Sequence, residues 1–174
     1  MNGIGEVVNF LIKPLQIAGD ALLGLFGVDD APAVDVVADM KSEIESLNQA
    51  LGDIQLQRIK NKQTNRENQK IVDDTTKSEE ERLAALKENY ELNKKLNAEE
   101  LANVKVQVWK QGEVARLAKS AYDWHVQQGA SQETLNALKQ AQITEENTLL
   151  NLRKQMANLT DAQFIEETNY ENAI

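Results

Sequence analysis

The chain has 174 residues, a net charge of −9 and no cysteine. Its length sets one domain as the starting expectation, and the missing thiols exclude disulfides, thiolate metal sites and a cysteine nucleophile. The acidic balance argues against tight binding to a nucleic-acid backbone or an anionic membrane surface, because both need clustered Lys and Arg. Only 8 Gly and 2 Pro occur, and aromatics make up 5%. So few breakers and rings point away from sheets and towards long helices.

Residues 3–28, GIGEVVNFLIKPLQIAGDALLGLFGV, form the one strongly apolar stretch. No Lys or Arg precedes it and Glu6 comes early, which is not the pattern of a secretory signal peptide. Glu6, Lys13, Asp20 and Pro14 also argue against a stable membrane span, since each charge in hydrocarbon costs a few kcal/mol. Residues 1–30 therefore read as an apolar helical segment packed on neighbouring protein. Phe10, Leu11, Leu22, Leu23, Leu25 and Phe26 are its candidate contacts with a partner or, in a transient state, with a membrane.

Residues 31–174 read as a coiled-coil helical region. Asp30 is a candidate N-cap and Pro32 suits a first helical turn, so a helix is predicted over about 33–72. Val37, Met40, Ile44, Leu47, Leu51 and Ile54 are spaced alternately by three and four residues, the mark of a coiled-coil seam. From Gln55 to Lys70 only Leu56 and Ile59 are apolar, and this stretch reads as a solvated or frayed extension with no face to bury.

The next helix is predicted over about 79–128. Ser78 and Glu81 have capping-box spacing, and Glu79, Glu80 and Glu81 suit the positive end of a helix dipole. Leu83, Leu86 and Tyr90 open its seam, and Asn97, Leu101, Val104, Val108, Ala115, Ala118 and Tyr122 continue it, with polar members at Asn93, Asn97 and Gln111. Polar residues in such a seam fix register and oligomer state at some cost in stability.

Gly129 is a suitable helix stop and Ser131 a suitable cap, which predicts a tight helical hairpin. The following helix, about 132–158, has a seam of Leu135, Leu138, Gln142, Glu145, Leu149, Leu152, Met156 and Leu159. A second capping-box match at Thr160 and Gln163 predicts a separate short helix over about 161–172. The expected fold is all-α: elongated antiparallel helical hairpins or coiled coil. Val37, Met40, Ile44, Leu47, Leu51, Ile54, Leu101, Val104, Val108, Leu149, Leu152 and Met156 are the candidate packing or interface residues.

No catalytic constellation emerges from the residues. His125 is the one histidine, and it reads as a cation near a helix C-terminus. The carboxylate clusters Asp73–Asp74, Glu79–Glu80–Glu81 and Glu145–Glu146 read as caps and solvated faces. Trp109 and Trp124 fall roughly on one helix face and read as core or interface packing. No glycine-rich phosphate loop is present. The expectation is a non-enzymatic protein without cofactor or metal.

The apolar segment 4–28, ending in GLFGVDD, followed by polar coils such as NRENQKIVDDTTKSEEERLAALKENYELNKKLNAEELANVKV (65–106), resembles a stretch of a phage tail tape measure protein. The likeness is one of pattern over most of the chain, not of a fixed motif. It implies a virion structural protein of the tail lumen or tip, made in the host cytoplasm, that serves tail assembly and genome ejection. Its partners would be tail tube or hub proteins and other copies of itself, with no specific nucleic-acid binding. Two other readings remain open: an internal or ejection protein with a membrane-active N-terminus, and a cytosolic helical scaffold or adaptor.

Overall fold

A computed structural model of the chain describes residues 31–174. The apolar segment 3–28, its six candidate contact residues and the expected cap at Asp30 lie outside the described residues. The described chain is all-α, with no strand among its residues. Its helices are α1 (Ala31–Asp73), α2 (Glu79–Gln127) and α3 (Gln132–Ala173).

The two turns have local causes. Ser78 Oγ accepts from the Glu81 backbone N–H at 3.2 Å, and Glu81 Oε2 accepts from the Ser78 backbone N–H at 3.0 Å. This reciprocal box satisfies donors that the first turn of α2 leaves free. At the other end of α2, Gly129 adopts φ 71°, which an L side chain resists. The Ala130 N–H reaches His125 O at 3.1 Å and the Gly129 N–H reaches Val126 O at 3.2 Å, the paired bonds of a Schellman stop. Ser131 Oγ then accepts from Thr134 N–H at 3.2 Å and caps α3.

The structure departs from expectation in two places. α1 stays helical through the polar stretch 55–70 and ends at Asp73, so that stretch is neither frayed nor faceless. α3 runs unbroken from Gln132 to Ala173, so the expected break near residue 160 does not occur. Thr160 Oγ1 donates to the Met156 carbonyl at 2.9 Å, a back-bond compatible with a helix interior, instead of capping a new helix.

The chain divides into two units, and each helix contributes to both. The first is Met1–Asn48 with Val106–Arg153; the second is Gln49–Lys105 with Lys154–Ile174. In the first unit, Val37, Ile44, Val114, Ala118 and Leu138 are almost wholly buried. Ala118 and Ala141 touch, and side chains this small let two helices approach closely. In the second unit the buried apolar residues are Ala85, Leu96, Leu101 and Val104. Contacts there show the hairpin directly. Residues 58, 65, 68 and 72 of α1 meet 97, 93, 88 and 82 of α2, so the helices run antiparallel. Asn97 and Tyr90 of α2 meet Glu166 and Tyr170 of α3, again antiparallel.

Candidate functional site: a polar seam between the helices

The predicted seam residues of α1 divide by depth. Val37 and Ile44 are fully buried, whereas Met40, Leu47, Leu51 and Ile54 are half-buried. The three-and-four spacing continues past Ile54 through Arg58, Asn61, Asn65, Asn68 and Val72. Asn68 is buried and the other four are half-buried. The seam therefore does not fade; its residues change from apolar to polar.

On α2, Leu101, Val104, Ala115 and Ala118 are buried as expected from spacing, and Val108 is half-buried. Leu83, also placed in the seam, is exposed instead. Glu100, Gln107, Gln111, Val114 and Ala121 are buried too, although all but Gln111 lay outside the predicted seam. In each unit α2 meets both other helices, and a helix with two neighbours buries a wider stripe than a two-helix seam allows. On α3, Leu138, Gln142 and Glu145 are buried, while Leu149, Leu152 and Met156 are half-buried. Leu149 and Leu152 lie in the first unit and Met156 in the second.

In the first unit one polar layer draws a residue from each helix. Glu145 is 1% exposed, so its carboxylate cannot be left to water. Lys41 Nζ on α1 donates to its Oε1 at 2.7 Å, and Gln111 Nε2 on α2 donates to its Oε2 at 2.6 Å. The Gln111 amide also reaches the Glu145 carbonyl at 3.3 Å. The reading of Glu145 as part of a solvated carboxylate face is thus corrected; only its neighbour Glu146 is exposed. A second pair, Lys110 with Glu43, joins α2 to α1 at the edge of this unit.

In the second unit the polar contacts form a ladder. Arg58 Nη2 donates to Glu100 Oε2 at 2.7 Å and to Asn97 Oδ1 at 2.6 Å. Gln55 Nε2 donates to the other Glu100 oxygen at 3.2 Å. Asn97 in turn donates to Glu166 on α3. Further along, Asn65 Nδ2 donates to Asn93 Oδ1 and Asn68 Nδ2 to Glu88 Oε2, both at 3.1 Å. Tyr90 stacks on Tyr170 at 4.0 Å between ring centroids, with planes 4° apart. The hydroxyl of Tyr90 raises the Lys94 amine above its usual value, with nearby Glu167 and Glu91 adding to the effect. The Asn65 and Asn89 side-chain oxygens, and Gln111 Oε1 in the first unit, are buried without a partner among the described residues.

These contacts hold helices in place; they do not set a nucleophile beside a base. His125 sits in the last turn of α2 with its ring edge-on to Trp124 at 4.8 Å. Trp109 and Trp124 are exposed, 61% and 47%, so neither is a core residue of the described chain. Among the described residues no three His, Asp or Glu side chains group to hold a metal ion, and no helix is long and apolar enough to cross a membrane. The missed residues left one signal in the sequence: Arg58, Asn61, Asn65 and Asn68 keep the spacing of the apolar seam before them. No protein-family model matches the chain, and no curated protein or solved structure is significantly similar to it.

Proposed function

We propose that the chain is a structural, non-catalytic assembly component of a virion tail, of the tape-measure kind, acting in tail assembly and genome ejection. The observation that supports this reading is the use made of the helix interiors. Polar side chains in the interior are paired from helix to helix, at Lys41–Glu145–Gln111 and at Arg58–Glu100–Asn97. Polar pairs of this kind favour one alignment over its neighbours, because a slipped helix would leave charges buried and unpaired. Fixed alignment is what a length-setting or tube-filling part requires, since each helical residue adds about 1.5 Å of rise. The acidic balance fits a place where DNA must pass without sticking. Residues 3–28 would then meet tube or hub proteins, or a membrane during ejection.

The test is a deletion of the gene in a strain that makes tailed particles, followed by electron microscopy and mass spectrometry of the purified particles. The proposal expects the chain in wild-type tails and missing or misassembled tails without it. Normal, infective tails lacking the chain would rule the proposal out.

A further inference from the structure

The second unit carries two outward helix faces that match each other. On α1, Leu56, Ile59, Lys62 and Arg66 are exposed and repeat at three- and four-residue steps. On α3, Phe164, Glu167 and Glu171 are exposed at the same steps, beside exposed Ile165. The apolar anchors are large and open to solvent: Ile59 is 51% exposed and Phe164 71%. Ordinary surface helices place polar residues there. Among the described residues, none of Lys62, Arg66, Glu167 or Glu171 makes an ion pair within 4 Å, and the one charge Glu167 lies near is the Lys94 ammonium.

We propose that the α1 face of one copy docks on the α3 face of a second copy of this chain, in parallel, with Ile59 against Phe164, Lys62 against Glu167 and Arg66 against Glu171. The direction is that of copies stacked side by side in one orientation. In this unit both helices run opposite to α2, so they run parallel to one another. A neighbour held in the same orientation then presents the steps 164, 167 and 171 alongside 59, 62 and 66. The two faces differ in charge sign, so neither pairs well with itself; like-charge pairs at these positions repel. The contact is heterologous, leaving one free face of each kind, so it repeats until a ring closes or a filament grows. It lies outside the buried seams and does not depend on the tail assignment.

Sedimentation equilibrium of the full chain tests it. The wild type is expected to exceed 19.5 kDa in weight-average mass at about 100 µM, with an association constant roughly tenfold weaker in high salt than in low salt. Lys62→Glu with Arg66→Glu should give monomers, and so should Glu167→Lys with Glu171→Lys, each with helicity unchanged by circular dichroism. Mixing these two variants, or combining all four substitutions in one chain, should restore association, which loss of folding could not do. A wild type that stays monomeric overturns the proposal and leaves the faces to another partner. Association that survives either charge reversal, or that the four-fold swap fails to restore, overturns it as well.

Discussion

Glu145 on α3 and Lys41 on α1 meet at 2.7 Å, with the two side chains 1% and 14% exposed. Gln111 on α2 holds the second carboxylate oxygen, so one buried charge ties three helices together. Desolvating such a pair offsets most of its attraction, which makes it a poor source of stability but a strong penalty on misalignment.

Replacing Glu145 alone should therefore cost more than replacing the whole layer. Glu145→Leu leaves the Lys41 ammonium and the Gln111 amide without their acceptor and should destabilise by about 2–4 kcal/mol. Lys41→Met, Gln111→Leu and Glu145→Leu together should be neutral or stabilising by about 1–3 kcal/mol. Urea unfolding of the variants measures both. A triple variant as unstable as the single one would contradict the assignment.

Arg58 and Glu100 should show strong coupling in a double-mutant cycle. The guanidinium serves Asn97 and Glu100 together, and Glu100 is the more buried partner. Truncating both to Ala should reveal a coupling of about 1–2 kcal/mol, which Arg58→Lys should not preserve in full, because an ammonium lacks the fork. Additive losses would show that the contact is incidental.

Glycines separate by backbone demand. Gly129→Ala forces a side chain into the left-handed region and should destabilise by about 1 kcal/mol. Gly52 and Gly112 lie inside helices, and a Cβ added at either meets nothing within 4 Å. Gly52→Ala and Gly112→Ala should each stabilise by about 0.5–1 kcal/mol, read as a rise in Tm. A fall in Tm for either would indicate a close neighbour not present in the single chain.

The turn between α1 and α2 should weaken in acid. Hydrogen bonds from Ser78 hold the Glu81 carboxyl below its ordinary value of 4.5, and Thr76 does the same for Asp74 against 3.8. A depressed carboxyl stabilises the fold above its ordinary value and loses that contribution as pH falls through its folded value. The NMR titration midpoint of Glu81 should therefore lie below 4.5 and rise only part of the way in Ser78→Ala, which removes the hydroxyl bond but keeps the larger contribution of the residue 78 backbone N–H. A native midpoint at or above 4.5 would deny the capping box its role.

Sequence periodicity located α1 and α2, the cap of α2 and the hairpin at Gly129, because breakers and capping residues act locally. The rest was hidden on α1, whose seam, read as apolar, ends at Ile54. Asn61, Asn65 and Asn68 occupy interior positions that hydropathy assigns to solvent, and the partners of Asn65 and Asn68 lie on another helix, 28 and 20 residues away. The Thr160–Gln163 pattern has the residues of a capping box, but the seam runs through it to Gln163, Glu166 and Tyr170, which are half-buried. Tertiary packing there outweighs a local stop signal. Glu145 shows the same limit, since nothing near it in sequence reveals the Lys41 that neutralises it, 104 residues away.

The absence of native cysteine allows a direct test of whether the polar layer sets alignment. Spin labels at Ser46→Cys on α1 and Asn147→Cys on α3, both exposed and within the first unit, report the α1–α3 distance by double electron–electron resonance. The native layer should give one narrow distance. In the Met/Leu/Leu triple variant the distribution should broaden or split, because a slip of one heptad moves the labels by about 10 Å. A variant distribution as narrow as the native one would contradict the claim that these buried polar residues hold the helices in register.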